Sequence, residues 1–229
     1  MKIGSGFGGG WLSAVPEQAR RAEELGYDFA STPETSHDSM LAAALAAENT
    51  EKLEVQTSVT IAFPRSPTVL AMEAWDIQHM SKGRFTLGLG SQVKGHNQNR
   101  FSVDWPGAPA TRMKEYIRML HAVWNSFRTG EKPDYVGKFY HFTLMTPNFN
   151  PGPIDYPDPK VGLALVGDAM AIPLLDVLER NPGRWDLSSV FNVGSGGAVF
   201  SESKQAKFRE HFPNVLITNS FGSSAGGQM

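Results

Sequence analysis

Over the first 130 residues the apolar positions switch repeatedly between two periods. Short alternating runs give way to stripes at helical spacing, and most stripes end at glycine or proline. Residues 1–7 read as a strand running into glycines. Val15, Ala19, Ala22 and Leu25 then fall at helical spacing, with Ser13 placed to cap that helix and Gly26 to stop it. Residues 27–32 form the next strand, ended by Pro33. Asp38 caps the alanine-rich SMLAAALAAENTE, a strong helix former. In LEVQTSVTIA, Val55, Thr57, Val59 and Ile61 share one face of a single strand. Ser66-Pro67 opens a helix that runs to about Lys82-Gly83. Strand 84–89 follows. A last helix over 111–127 carries Met113, Ile117, Leu120, Trp124 and Phe127 on one stripe.

Strands separated by amphipathic helices imply parallel pairing through crossovers. Four βα units suit either a doubly wound sheet or the front half of a (β/α)₈ barrel. Gly4, Gly6 and Gly9 formally match a dinucleotide fingerprint. That fingerprint needs its third glycine in the opening turn of a helix, and here Trp11, Leu12 and Ser13 still intervene. The barrel reading is preferred.

A barrel keeps its chemistry at the C-terminal strand ends. Those ends carry Phe7 and Gly8, residues 32–37, residues 58–63 and residues 90–96. The last is the sharpest signal: in GRFTLGLGSQVKGH an apolar strand turns abruptly into small and polar residues.

Composition narrows the chemistry. The 229 residues carry a formal charge of -2, which gives no electrostatic case for nucleic acid or an anionic membrane. No cysteine is present, so disulfides, thiolate metal sites and cysteine nucleophiles are excluded. The six histidines are scattered and form no H-E-x-x-H pattern, so no metal is expected. No signal-peptide core or membrane-length apolar run occurs, and a cytoplasmic location is expected.

The order TSVTIAFPRSP, helix, then S-K-G-R-F-x-L-G-L-G resembles the luciferase-like monooxygenase superfamily, most of all the branch using the deazaflavin F420. The likeness covers about residues 1–150, including FYHFTLMTPNFNPGP. It implies a (β/α)₈ barrel, an F420 cofactor with FMN as the alternative, and hydride transfer to a small organic substrate. It also implies a non-proline cis peptide at Ser58–Val59, in a bulge behind the cofactor ring. Ser58, Val59, Thr60, Gly90, Ser91, Gln92 and His96 would then contact the cofactor, with Glu34 and His37 as catalytic groups. An imidazole is the side chain best suited to proton movement near neutral pH, so His37 could move a proton; the plainer reading puts both residues on a solvated loop before a helix cap. Val93 stands where sugar-phosphate-oxidising relatives place a catalytic glutamate, so that substrate does not carry over. Lys94 or Arg100 would pair with a cofactor tail or simply face solvent.

Residues 151–164 read as a proline-rich linker, an extended surface loop. PKVGLALVG at 159–167 imitates the family's next strand. Residues 165–229 instead resemble an internal slice of the adenylate-forming acyl-CoA synthetases, carried by WDLSSV, VGSGGAVFS and PNVLITNSFGSS. Ala225 replaces the glutamate expected to help hold magnesium, and the phosphate loop and catalytic-lysine domain are missing, so adenylation is not expected. The expected organisation is a half-barrel over 1–150, the linker, and an unrelated α/β fragment over 165–229 with strands at 189–193 and 215–218. Half a barrel leaves strand edges open, which added strands or homo-oligomerisation would cover. A non-catalytic remnant is the competing reading.

Overall fold

The structure, a computed structural model, describes residues 3–7, 10–105, 107–165, 167–184, 192–196, 199–212 and 215–220. Gly8, the WDLSSV stretch at 185–190 and the motif at 221–225 lie outside them. The chain divides into two compact units, Met1–Gly162 and Leu163–Met229.

In the first unit, strands β1 (Gly4–Gly6), β2 (Phe29–Thr32), β3 (Glu54–Thr57) and β5 (Phe85–Gly90) lie side by side in that order, all parallel. Strand β4 (Thr60–Ile61) continues the line of β3 along β5. Helices α1 (Val15–Glu24), α2 (Ser39–Glu48) and α3 (Pro67–Met80) link successive strands. The alternation read from the sequence is therefore a parallel β/α sheet.

Side chains pointing toward the helices are buried: Ala30 and Thr32, Val55 and Thr57, Phe85, Leu87 and Leu89. Alanines 42, 43, 46 and 47 of α2 are buried too, and their small side chains let the helix lie close to β2 and β3. Asp38 caps α2 as expected, accepting from Met40 N at 2.8 Å and Leu41 N at 3.0 Å. Ser13 does not cap α1; it sits in a 3₁₀ turn, Leu12–Ala14, and the helix starts at Val15 with Pro16 in its first turn. Helix α5 (Pro109–Thr129) packs against α3, burying Met113, Tyr116, Leu120, Trp124 and Phe127. Ile117 is only partly buried.

The strand over 53–62 is not continuous. Val55 pairs with Phe85 and Gln56 with Thr86, but Thr60 pairs with Leu89 and Ile61 with Gly90. One extra residue has slipped in, so Ser58–Val59 form a bulge. Val59 therefore does not share a face with Val55 and Thr57, as simple alternation suggested. The Ser58–Val59 peptide is cis, where the resemblance placed it.

A short hairpin, β6 (Tyr135–Val136) and β7 (His141–Phe142), hangs from Glu115, whose Oε1 accepts from Phe139 N and Tyr140 N. The proline-rich stretch is strapped onto the first unit. Trp75 Nε1 donates to Gly152 O and Gln78 Nε2 to Pro157 O, while Arg128 binds Ile154 O, Tyr156 O and Asp158.

Strand β8 (Lys160–Leu165) leads into the second unit, which contains α6 (Gly167–Arg180), β9 (Asn192–Gly196), α7 (Glu202–His211) and β10 (Leu216–Ser220). Strand β9 pairs in parallel with β8 and β10. Its core is built on Leu175, Leu178, Val193 and the trio Phe200, Phe208 and Phe212, of which the last two stack at 5.4 Å. No helix among the described residues is long and apolar enough to cross a membrane.

Candidate functional site at the strand ends

The bulge interrupts the main-chain ladder, and the Thr57 side chain fills the gap. Its hydroxyl donates to Gly88 O at 2.8 Å and accepts from Gly88 N at 2.9 Å. Beyond it, Ser58 is exposed and Val59 half-buried. A Cβ on Gly90 would meet Val59 Cγ2 at 2.5 Å, so only glycine lets the bulge lie this close to the end of β5. Thr60 faces the other way. It is fully buried, 2.8 Å from Ser39 Oγ, and its side chain props the bulge from behind.

After Gly90 the chain turns through Ser91 and Gln92, both half-buried, into a short helix α4 (Lys94–Asn99) that the sequence pattern did not reveal. Gln92 adopts the left-handed conformation, φ 57, and its own Oε1 accepts from Val93 N. Buried Asn97 braces the turn, its Nδ2 donating to Ser91 O at 2.9 Å and Val93 O at 3.1 Å. Its Oδ1 is buried with no hydrogen-bond partner among the described residues. His96 lies exposed on α4.

The loop after β2 is tied down at three points. Glu34 accepts from Ile61 N at 2.7 Å and from Ser39 Oγ at 3.2 Å, and pairs with Arg65 at 2.7 Å. Asp38 pairs with the other arm of Arg65 at 2.5 Å. Arg100 donates to Thr35 O at 2.8 Å. The Glu34 and Arg65 side chains are only 9% and 16% exposed, so the pair is shielded from solvent. Burial disfavours the charged guanidinium, but Glu34 and then Asp38 outweigh it and hold the Arg65 pKa above its ordinary value. Nearby Glu73 is pushed up, first by burial; Arg65 opposes this while Asp38 and Glu34 add to it. Its Oε2 is buried without a partner among the described residues.

His37 sits half-buried at the rim, its ring 5.3 Å from that of Trp11 and tilted by 51°. Trp11, 77% exposed, comes from the loop after β1. The structure thus gathers the loops after β1 and β2, the bulge, and the turn after β5 at one end of the sheet. Sequence reading missed Arg65, Thr57 and Trp11 as parts of this end. The arginine of FPRSP was the available signal, but nothing local reveals which carboxylates it meets.

The chemistry of this end suits a planar, partly polar ring: a glycine-lined cradle at Gly90, a half-exposed aliphatic surface at Val59, and polar groups at Ser91 and Gln92. Among the described residues no cluster of three or more histidine, aspartate or glutamate side chains could hold a metal ion.

A parallel β/α sheet that collects its irregular backbone and polar groups at the C-terminal strand ends has the arrangement of a β/α-barrel scaffold. The sequence model of the luciferase-like monooxygenase family matches residues 4–172, and the chain belongs to that family. A Mycobacterium tuberculosis protein, Rv1360, is 44% identical over 164 residues, covering 69% of this chain and 48% of the relative. The chain thus spans about half the length of the curated relatives it matches. Part of it is also similar to a medium/long-chain-fatty-acid–CoA/3-oxocholest-4-en-26-oate–CoA ligase of Mycolicibacterium smegmatis, 48% identical over 90 residues, or 37% of this chain and 16% of the ligase.

Two solved structures share the fold at low identity. The oxygenating constituent of 3,6-diketocamphane monooxygenase from Pseudomonas putida, in complex with FMN, has a TM-score of 0.68 at 15% identity, covering 96% of this chain and 66% of that one. The coenzyme F420 dependent tetrahydromethanopterin reductase of Methanopyrus kandleri has a TM-score of 0.63 at 16% identity, covering 95% and 65%.

Proposed function

We propose that the chain is an oxidoreductase of the luciferase-like family that binds F420, with FMN as the alternative, and exchanges a hydride with a small organic substrate. The observation that carries this reading is the cradle at the strand ends: a one-residue bulge whose Val59 closes on a bare Gly90. Ser58, Val59, Gly90, Ser91 and Gln92 would hold the ring. The likeness of TSVTIAFPRSP and SKGRFTLGLG to the deazaflavin branch favours F420 over FMN. When bound, that ring supplies the hydride acceptor or donor.

Each hydride transfer leaves a proton to be moved, and His37 would take it. Its imidazole stands at the rim on a loop that is pinned at Glu34, Thr35 and Asp38. Exposed Trp11 and Val93 give this rim an apolar character. Val93 offers no carboxylate where a sugar-phosphate oxidase would need one. A neutral substrate with an apolar body fits better.

The test follows F420 absorbance while the protein meets a panel of alcohols and carbonyl compounds. Turnover with at least one neutral substrate is expected, and His37→Gln should lower kcat by about 100-fold. Turnover unaffected by His37→Gln would remove the assigned proton carrier.

A further inference from the structure

We infer that Glu34, together with Arg65, is a positioning device for the ring-facing bulge rather than an acid or base. The inference rests on the reading that the strand ends hold a flavin or deazaflavin ring. Strand β2 runs out at Thr32. The bond from Ser58 N to Thr32 O, at 3.0 Å, is the last rung between β2 and the strand beside it. Beyond that point the next strand has no β2 neighbour, and a buried N–H without an acceptor is costly. The Ile61 N–H would be such a group. Glu34 Oε2 accepts it at 2.7 Å, and Arg65 Nη1 donates to Ile61 O at 3.0 Å.

One ion pair therefore grips both polar groups of residue 61. On its other side, Ala62 N donates to Gly90 O at 2.9 Å, so residues 61–62 are fixed between the ion pair and β5. The bulge at Ser58–Val59 has little freedom left. Ser39 completes the clamp: its hydroxyl touches both Glu34, at 3.2 Å, and Thr60, at 2.8 Å. With its oxygens engaged by Arg65, Ile61 and Ser39, the Glu34 carboxylate is built to hold backbone.

A merely structural carboxylate exists in the same unit for comparison. Glu23 accepts from the backbone N–H groups of Glu51, Lys52 and Leu53, just before β3 begins and so at the opposite end of the strands from the cradle.

The experiment compares Glu34→Ala, Glu34→Gln, Arg65→Lys and Glu23→Gln with the unaltered chain. It reads FMN and F420 affinity by fluorescence, the shape of the bound ring's visible band, Tm, and hydrogen exchange at the Ile61 amide of the cofactor-free protein. Glu34→Ala should weaken ring binding about tenfold, blur the visible band and speed exchange at Ile61. Glu34→Gln keeps an acceptor for that N–H and should recover most of all three. Glu23→Gln should lower Tm and leave affinity alone. Should Glu34→Ala fail to fold, Arg65→Lys replaces it, with about threefold weaker binding expected because one ammonium cannot span both carboxylates. Unchanged affinity and unchanged Ile61 exchange in the folded variants would overturn the inference. Failure of the unaltered chain to bind either ring would overturn the cofactor reading instead, while Ile61 exchange would still report on the clamp.

Discussion

Thr57 and Gly88 hold each other through one hydroxyl, which donates to the Gly88 carbonyl at 2.8 Å and accepts from the Gly88 N–H at 2.9 Å. The pair stands where the extra residue breaks the ladder, so a side chain replaces the missing rung. A Cβ on Gly88 would meet Thr57 O at 2.0 Å, and that backbone atom cannot step aside. Gly88→Ala is therefore expected to cost about 3 kcal/mol. Thr57→Val, which keeps the shape and strips the hydrogen bonds, should cost about 2 kcal/mol. Urea unfolding of both variants checks this, and midpoints close to the parent chain would contradict it.

Gly90→Ala should behave differently. Its Cβ would press on Val59 Cγ2 at 2.5 Å, and a side chain can move where backbone cannot. Stability should fall by only about 1 kcal/mol, while ring affinity drops as Val59 is driven into the cradle. Adding Val59→Ala should restore much of the affinity, giving non-additive effects in a double-mutant cycle.

Arg84, from the S-K-G-R-F motif, is expected to matter for stability rather than for the ring. Its guanidinium donates to Leu53 O, to Thr50 O at 2.7 Å and to Ala47 O at 3.2 Å, closing the C-terminal end of α2. Burial pulls its pKa below the ordinary value, with Glu23 and Glu51 opposing. Arg84→Met should cost about 3 kcal/mol by leaving buried carbonyls unpaired. Arg84→Lys should recover less than half, since an ammonium lacks the fork. Thermal melts with cofactor titrations separate the two effects.

Glu23 supplies a pH prediction. Burial alone would raise its carboxyl pKa, but the N–H groups of Lys52, Leu53 and Glu51 outweigh it and hold it below the usual carboxylate range. A depressed folded-state value means stability is present above the unfolded carboxylate pKa and is lost as pH falls through the folded one. The Tm gap between the parent chain and Glu23→Gln should thus be widest near neutrality and shrink below about pH 4.5. A gap independent of pH between 3 and 7 would contradict the assignment.

The β/α alternation was legible because apolar periodicity follows backbone period directly. Val55, Leu87 and Trp124 lie where their spacing put them. The bulge was not legible from pattern. Val55, Thr57, Val59 and Ile61 keep their two-residue rhythm through a one-residue slip, and only family likeness located it. The roles of Glu34, Arg84 and Glu23 were hidden for a different reason. Their partners are backbone groups 27 to 37 residues away, and main-chain N–H and C=O groups leave no trace in side-chain pattern. Helix α4 was missed because six residues containing Gly95 carry no periodicity. The longer motif SKGRFTLGLG, in turn, combines a structural arginine, Arg84, with Gly88 and Gly90, the glycines that admit the bulge.

The most direct measurement is equilibrium titration of the purified chain with F420 and with FMN, followed by quenching of cofactor fluorescence. Saturable binding is expected, tighter for F420, and weakened by Gly90→Ala far more than by Glu23→Gln. Absence of binding to either ring at about tens of micromolar, a free energy weaker than about -7 kcal/mol, would contradict the account.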